Sequence, residues 1–323
     1  MTTDLFYVPP TEELRYLPEC PRRMRNFPYS DPFLGWVAIQ HSADDQTGSF
    51  NMLNLRTFEN TTHRLPGRPG FFAETTQSGV ILIPLDRRLV LYDILRKRIQ
   101  DPGWVATTDE RCIINDGLPV PGGVIFGTKH LSFSEPIAEI YYFDSASHKI
   151  TTLAGGQVCS NGKHLYFEDG TTWLADICSA TKQVSRYKVD LAAGEIRRDG
   201  VIADFTSGEV FPDGMRATPD GRGLVIAFFD PRMSFSGFVR QYNLKTGEME
   251  REWELEGAPR VTCPEIARIN GKVRLVATTA TEGMPPEIRK QAPCSGVMFI
   301  GETPWDEEPP PPPLVAVDIP IPI

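Results

Sequence analysis

Residues 79–93 read GVILIPLDRRLVLYD. This stretch contains a turn glycine at Gly79, an apolar run over Val80–Leu85, and a second apolar run that ends at Tyr92-Asp93. A short apolar run after a glycine turn, and another that ends in a polar turn, are typical of β-strands. The stretch therefore predicts two short strands within one small unit.

The same two landmarks recur along the chain at a nearly fixed interval. Turn glycines that lead into β-branched or aromatic runs follow one another at 44, 47, 51 and 50 residues: Gly79, Gly123, Gly170, Gly221 and Gly271. Apolar runs that end in a polar turn follow at 51, 46 and 53 residues: Asp93, Asp144, Asp190 and Asn243. Two landmark series with one period indicate several strands per unit, which is typical of the four-stranded blade of a β-propeller.

The period also fixes the number of units. A repeat of about 48 residues fits about 6.7 times into 323 residues, which suits six blades with tails. We therefore predict an all-β fold, a single six-bladed β-propeller of four-stranded antiparallel blades over residues 1–323. A pair of eight-stranded β-sandwiches is the alternative, but sandwiches rarely keep so regular a period. Helix-forming stretches such as Pro285–Gln291 are too short and too bounded by proline for a helical architecture.

The C-terminal tail, residues 303–323, has its own composition. Five consecutive prolines at Pro309–Pro313 favour polyproline II and cannot join a central strand. We expect a stiff surface crossing that lets Leu314–Ile323 pack back on the propeller. A ligand for a proline-reading domain is the alternative.

Charge and composition exclude several classes of partner. The chain has 33 Lys and Arg against 42 Asp and Glu, a net charge of −9, which would repel nucleic acid and anionic membranes. Residues 1–20 carry Asp4, Glu12 and Glu13 and lack the apolar run of a secretory signal, so we expect a cytoplasmic protein. The six cysteines are widely spaced, which predicts free thiols.

Polar residues that can carry chemistry follow the same period. Asn115, Asn161 and Asp213 are separated by 46 and 52 residues, Glu19 lies 96 residues before Asn115, and Cys263 lies 50 after Asp213. Equivalent positions in successive blades form a ring about the propeller axis. The sequence therefore predicts that these side chains meet at one mouth of the central channel.

The ring offers ligands for a divalent metal. Glu19, Asn161 and Asp213 supply two carboxylates and one amide oxygen, hard donors that suit Ca²⁺, Mg²⁺ or Mn²⁺. Two negative charges would balance a divalent cation. The alternative is that the Asx-Gly pairs only make turns, since Asn and Asp tolerate left-handed backbone.

Thiols and one histidine near the ring provide further possibilities. Cys20, Cys159 and Cys263 lie within two residues of ring positions, so a zinc or iron thiolate centre stays open, although no C-x-x-C spacing supports it. Buried free cysteines more often act as small apolar residues. Among the five histidines, His130 is the candidate substrate contact.

The motifs resemble those of the gluconolactonase, senescence-marker-protein and luciferin-regenerating-enzyme family of six-bladed propellers. Glu19-Cys20-Pro21 is similar to its N-terminal Glu-x-Pro, and Asn115-Asp116-Gly117 with Gly127-Thr128 is similar to its Asn-Asp-Gly and Gly-Thr pair. Ser160-Asn161-Gly162 and Pro212-Asp213-Gly214-Met215 are similar to its third and fourth signatures. The agreement in order and spacing extends from Glu19 to about Phe299.

The resemblance implies a metal-dependent hydrolase that opens a lactone, or a related cyclic ester, to the hydroxy acid. It implies that Glu19, Asn161 and Asp213 hold one divalent metal, with Ca²⁺ expected first and Zn²⁺, Mg²⁺, Mn²⁺ or Fe²⁺ as alternatives. Asp213 would also act as the general base, and Asn115 would contact the substrate or a metal-bound water. The expected partner is a small lactone or ester.

The chain departs from the family pattern where sugar substrates are held. Ile113 stands where the sugar-lactone members carry Arg, and Lys129, His130 and Leu131 follow the Gly-Thr pair where they carry an acidic residue. Because those polar groups hold sugar hydroxyls, their replacement favours a less hydroxylated lactone or ester. His130 would then serve as a replacement contact.

Two other functions stay open. The propeller can be a binding module that uses calcium without catalysis, because one fold supports many functions. It can also run a different acid–base reaction, as the related strictosidine-synthase-like propellers do. The presence of all three predicted metal ligands argues against that reaction.

Overall fold

A computed structural model describes residues 1–317, in which 24 strands form six four-stranded sheets. Residues 318–323, the end of the predicted tail, lie outside the described residues. Paired strands within each sheet run antiparallel. The predicted six-bladed propeller of four-stranded antiparallel blades is therefore confirmed.

The chain begins with an outer strand and a short helix and then builds the first three blades in order. These elements are β1 (Thr3–Tyr7) and α1 (Glu12–Tyr16); β2 (Pro18–Arg23), β3 (Phe33–Ala38), β4 (Gly48–Asn54) and β5 (Asn60–Leu65) in the first blade; β6 (Ala73–Glu74), β7 (Val80–Leu85), β8 (Arg88–Asp93) and β9 (Arg98–Val105) in the second; and β10 (Cys112–Val120), β11 (Gly123–His130), β12 (Ala138–Asp144) and β13 (Lys149–Gln157) in the third.

The remaining three blades follow the same plan, with a second short helix inside the sixth. Their elements are β14 (Ser160–Glu168), β15 (Thr171–Cys178), β16 (Gln183–Asp190) and β17 (Glu195–Asp204) in the fourth blade; β18 (Phe211–Ala217), β19 (Gly223–Phe229), β20 (Ser236–Asn243) and β21 (Met249–Glu256) in the fifth; and β22 (Val261–Ile269), β23 (Lys272–Thr279), α2 (Pro286–Gln291) and β24 (Met298–Glu302) in the sixth.

The N-terminal strand closes the ring. In the sixth blade the strand order is β1-β24-β23-β22, so β1 is the outermost strand of the blade that the C-terminal part of the chain builds. Leu5 of β1 pairs with Phe299 of β24. Because the first and last parts of the chain share one sheet, the propeller cannot open without breaking that pairing.

The burial of a strand follows its distance from the axis. Every residue of β7 is buried, because inner strands have neighbouring blades against both faces. The outermost β21 shows buried and exposed residues in alternation at its C-terminal end, as expected of a strand with one wet face. The five apolar runs that define the repeat all fall on the second strands of their blades. The first blade does not show this repeat, because no turn glycine precedes its second strand, β3.

The proline-rich tail crosses the face of the propeller that lies away from the predicted site. The carboxylate of Glu308 accepts a hydrogen bond from the backbone N–H of Arg268 in the sixth blade, 2.6 Å away. After Pro309–Pro313, the N–H of Val315 donates to the carbonyl of Glu74 in the second blade, at 2.9 Å. We call residues 308–315 the strap.

Two further expectations concern cysteines and membranes. All six cysteines are free thiols, and five of them are buried. Within residues 1–317, neither helix has the length or apolar character needed to cross a bilayer.

Candidate functional site

The innermost strands of the first, third, fourth and fifth blades each carry a β-bulge. Register with the second strand shifts between Glu19 and Arg22 in β2, between Ile114 and Gly117 in β10, between Ser160 and Lys163 in β14, and between Pro212 and Met215 in β18. A bulge inserts an unpaired residue and re-aims its side chain. Asn115, Asn161 and Asp213 each occupy the first unpaired position of their bulge, whereas Glu19 lies directly before its own bulge and pairs with Val37.

The bulges bring four of the predicted site residues to one pocket. Glu19, Asn115, Asn161 and Asp213 all line a cavity of about 620 Å³ at one mouth of the central channel. Glu19, Asn115 and Asn161 are each less than 9 % exposed. The ring of polar side chains expected from the sequence is therefore present as a group in the structure.

Close packing between blades depends on the glycines that follow the ring residues. A Cβ on Gly162 would lie 2.4 Å from the Cβ of Met215, and one on Gly214 would lie 2.6 Å from the Sγ of Cys263. Such distances are not compatible with a side chain. These glycines therefore let neighbouring inner strands approach, which holds the ring residues close together.

Two amides are oriented by hydrogen bonds. Asn161 donates from Nδ2 to the carboxylate of Asp213 and also to Oγ of Ser179, at 3.1 Å. Asn115 donates from Nδ2 to the carbonyl of Ser160, at 3.1 Å. Among the described residues, nothing donates to Oδ1 of Asn161 or of Asn115. Both amide oxygens are therefore available to a ligand.

Burial raises the pKa of both carboxyl groups in the pocket. Burial, followed by the charge of Asp213, raises the pKa of Glu19 well above its ordinary value. Burial also raises the pKa of Asp213 to about 8, although Lys129 and the hydrogen bond from Asn161 lower it. Within residues 1–317, neither carboxylate forms an ion pair, and Glu19 accepts only from the N–H of Cys20, at 3.3 Å.

Two thiols lie directly beside Glu19. One carboxylate oxygen of Glu19 and the sulfurs of Cys20 and Cys263 lie within 4.8 Å of one another. Cys20 donates from Sγ to Asp116, at 3.4 Å. A hydrogen bond with Cys263, followed by burial, raises the pKa of the Cys20 thiol. The site therefore combines an oxygen-rich mouth with a softer pair of sulfurs beneath it.

Lys129 is a site residue that the periodic argument did not find. It lies on β11, a second strand, and lines the pocket with Arg260 and Glu282. Its charge lowers the pKa of both Glu19 and Asp213. Only the family comparison gave a signal for it, because Lys129 stands in the segment where related sequences carry an acidic residue.

The remaining pocket wall is mostly apolar. Leu131 and Phe133 lie at the rim, 40 % and 47 % exposed. The other apolar residues that line the pocket are Leu17, Ile39, Ala180, Phe211, Phe229 and Pro231. Such a surface accommodates a ligand with an apolar body.

His130 is the last residue of β11 and holds the loop that follows the strand. It is 3 % exposed, and its Nδ1 accepts hydrogen bonds from the backbone N–H groups of Ser134 and Glu135, at 3.2 and 3.1 Å. The neighbouring Lys129 lines the pocket. A role for His130 in substrate contact therefore stays a sequence-based prediction.

The chain belongs to the SMP-30/gluconolactonase/LRE-like family, whose sequence profile matches residues 17–281. The matched region contains all four ring residues. A search of curated protein sequences finds no significant match. The resemblance noted in the motifs is thus confirmed at the level of the family.

Solved structures with the same fold cover nearly all of the chain. A calcium-binding regucalcin from Agrobacterium tumefaciens is 20 % identical, with a TM-score of 0.79, over 97 % of this chain and 98 % of that one. A luciferin-regenerating enzyme is 17 % identical, with a TM-score of 0.73, over 94 % and 96 %. A gluconolactonase from Xanthomonas campestris is 12 % identical, with a TM-score of 0.60, over 90 % and 86 %. At these identities the likeness establishes the fold.

Proposed function

We propose that this chain is a divalent-metal-dependent hydrolase that opens a lactone, or a related cyclic ester, to the hydroxy acid. The observation that carries the proposal is the pair of buried carboxylates, Glu19 and Asp213, in one pocket without a cationic partner in contact among the described residues. Buried charges of like sign are costly unless a cation compensates them. Membership of the family supports the same assignment.

The donors in the pocket fit a divalent cation. Glu19 and Asp213 supply carboxylate oxygens, and Oδ1 of Asn161 adds a neutral oxygen, a set suited to Ca²⁺, Mg²⁺ or Mn²⁺. Their combined charge of −2 balances the ion. We take Ca²⁺ as the first expectation. The sulfurs of Cys20 and Cys263 beside Glu19 keep Zn²⁺ as an alternative.

Hydrolysis requires a base for water and a site that holds the lactone. When bound, the metal would supply a Lewis acid for the lactone carbonyl. Asp213 accepts the proton of the attacking water, whose oxygen bonds to the carbonyl carbon. The ring C–O bond then breaks, and the leaving oxygen takes up a proton, which gives a carboxylic acid and an alcohol on one chain. The amide of Asn115, fixed by the carbonyl of Ser160, orients the substrate or the water.

The pocket wall supports a substrate with few hydroxyl groups. Leu131, Phe133 and Phe211 provide apolar contact surface, and Ile113 replaces an arginine found in the sugar-lactone members of the family. Sugar hydroxyls need polar partners, and they lose solvation without them. We therefore propose an alkyl-substituted or otherwise apolar lactone or ester as the substrate.

A lactone panel tests the proposed reaction. Acid release is followed in a pH-stat with δ-gluconolactone and with γ- and δ-lactones that carry alkyl chains of increasing length. Wild-type protein, Asp213→Asn and the control Asp190→Asn are compared, because Asp190 makes an Asx-type turn remote from the pocket that asparagine can also make. Hydrolysis of alkyl lactones by wild type and the control but not by Asp213→Asn supports the proposal. Turnover of δ-gluconolactone alone would contradict the proposed substrate.

A calcium-binding module without catalysis is the second candidate. The buried carboxylate pair supports metal binding as such and does not require a reaction. Hydrolysis separates the two functions. Calcium binding that needs Glu19 and Asp213, with no acid release from any lactone or ester in the panel, would favour the module.

A further inference from the structure

A second charged cavity lies at the other end of the channel, under the strap. It has a volume of about 430 Å³. The side chains of Arg22, Arg216 and Glu265 line its inner end, and Pro309–Pro313 form its outer wall. We call it the strap cavity.

Arg22 is the unusual residue of the strap cavity. It is only 6 % exposed, and its one hydrogen bond within residues 1–317 is a long contact of 3.5 Å from Nη1 to the carbonyl of Phe72. A guanidinium has five N–H donors, and burial without partners is costly. Burial, together with the positive charge of Arg216, lowers the pKa of Arg22.

The other charged groups around the cavity are already engaged. Arg216 donates from Nε to Glu265, at 3.1 Å. Lys163 forms an ion pair with Asp176, at 3.2 Å. The carboxylate of Asp220 accepts from Thr218 and from the N–H of Arg222.

The mouth of the strap cavity adds positive charge. Arg25 lies 3.6 Å from the carboxylate of Glu308, whereas Arg23, also in the lining, makes no ion pair among the described residues. Arg22 and Arg23 are therefore the guanidinium groups without a carboxylate partner.

The strap makes the outer wall apolar. Proline has no N–H, so Pro309–Pro313 present rings and carbonyls but no hydrogen-bond donor. Leu118, Val120 and Ile266 lie on the opposite wall. An occupant with an acidic head and a small apolar body would match both Arg22 and these walls.

We propose that the strap cavity is a second ligand site, which binds a small organic carboxylate or phosphate ester with its oxyanion on Arg22 and its apolar part against the strap. The planar guanidinium is suited to such oxyanions, because it can donate two parallel hydrogen bonds to them. The site is separate from the metal pocket, and the proposal does not depend on the proposed function.

Calorimetric titration of the full chain tests the proposal. Hexanoate, acetate, butyl phosphate and inorganic phosphate are titrated in chloride-free buffer into protein from which metal has been removed by chelation and the chelator then removed by dialysis, so that neither a metal at the other mouth nor the chelator's carboxylates interfere. We expect one hexanoate or butyl phosphate per chain, bound at least tenfold more tightly than its short or inorganic counterpart. The head group that binds more tightly identifies the class of anion.

Variants locate the binding. Arg22→Met should weaken binding at least tenfold, while Asp213→Asn in the metal pocket and Arg88→Met on the second blade should leave it unchanged. Arg22→Lys keeps the positive charge but lacks the planar guanidinium that donates two parallel hydrogen bonds. We therefore expect an intermediate loss of affinity for this variant. Because Arg22 is buried, a crystal soaked with 6-bromohexanoate gives a second readout on wild-type protein, in which the anomalous bromine signal should lie between the strap and Arg22.

Three results would overturn the proposal. They are the absence of saturable binding by any of the four anions, binding that Arg22→Met leaves unchanged, and a bromine signal outside the strap cavity. None of them bears on hydrolysis at the metal pocket, so this proposal and the proposed function can fail separately.

Discussion

Asn161 donates a hydrogen bond from Nδ2 to the carboxylate of Asp213, and the two residues occupy the same bulge in consecutive blades. The bond fixes the amide, so its oxygen is presented to the pocket. It also stabilises the Asp213 charge, as the charge of Lys129 does more strongly, whereas burial opposes that charge. Because the two residues have different roles in the pocket, alanine variants of each should reduce metal binding and hydrolysis to different extents.

We expect Asp213→Ala to abolish metal binding and hydrolysis together, because it removes a ligand and the base. Asn161→Ala should weaken metal affinity about tenfold or more and leave residual activity at saturating metal. Asn115→Ala should lower turnover while the metal is retained. Metal affinity measured by calorimetry and kcat measured in a pH-stat distinguish the three variants. Equal activity in all three would contradict the assignment of the metal site to these residues.

Metal-free protein should become more stable when the carboxylate repulsion is relieved. Asp213→Asn keeps the shape of the side chain and removes a buried carboxyl group that raises the pKa of Glu19 and whose own pKa burial raises to about 8. We expect a higher Tm in the presence of chelator, by about 2–4 °C for each kcal/mol gained. The same variant should lose the Tm increase that metal gives the wild type. A lower Tm than wild type under chelation would contradict this electrostatic account.

Lys129 should oppose metal binding, since its charge stabilises the same carboxylates that the metal needs. Lys129→Met should tighten metal affinity about threefold to tenfold, and Lys129→Glu should tighten it further. The glutamate variant also restores an acidic group near the pocket and should improve turnover of hydroxylated lactones relative to alkyl lactones. Lys272→Met, on exposed surface of the sixth blade, is the control, and looser metal binding in Lys129→Met would contradict the prediction.

The thiols distinguish soft from hard metals. If Glu19, Asn161 and Asp213 hold the physiological ion, replacing both Cys20 and Cys263 by Ala should change Ca²⁺ affinity by less than about twofold. Zn²⁺ affinity should fall much more, because sulfur is its preferred ligand. Competition with a chelating dye measures both ions. Equal losses for Ca²⁺ and Zn²⁺ would mean that the sulfurs belong to the principal site.

His63 should make stability depend on pH below neutrality. Burial lowers its pKa from 6.5 to about 4, and its Nδ1 is 2.9 Å from the hydroxyl of Tyr92, while Nε2 is buried without a partner in the described chain. The unfolded chain then binds a proton that the folded one does not, so the contribution is present above about pH 6.5 and is lost as pH falls toward 4.

As the pH falls from about 6.5 to about 4, His63 should lower the free energy of unfolding by about 3 kcal/mol. Denaturant unfolding of wild type and His63→Gln at pH 7.5, 6 and 5 measures it, because other acid-sensitive groups are common to both proteins. The difference in unfolding free energy should shrink as pH falls. A constant difference across the range would show that His63 does not titrate as its environment predicts.

The repeat could be found from the sequence because it rests on local backbone requirements. Gly79 and Gly271 adopt φ of 80° and 81°, a region that favours glycine, so the turns leave a periodic signal. Asn115, Asn161 and Asp213 follow the same period because each occupies the first unpaired position of a bulge in the innermost strand of its blade. The first blade was not visible in this way, since no turn glycine precedes Phe33–Ala38.

Lys129 and the strap cavity depend on contacts that no period encodes. Lys129 reaches the pocket from β11, the second strand of its blade. It therefore lies outside the series of residues that recur on the innermost strands. Arg22 meets Pro309–Pro313 only because the chain returns across the propeller after the sixth blade. The sequence therefore predicted the proline spacer but not the cavity beneath it.

We expect hydrolysis to require one divalent metal held by Glu19, Asn161 and Asp213. The most direct test measures metal per chain by elemental mass spectrometry together with acid release from alkyl lactones, before chelation, after chelation and after metal is restored. The account predicts one ion per chain, loss of activity on removal, and recovery on addition in wild type but not in Asp213→Asn. Full hydrolysis by metal-free protein would contradict it.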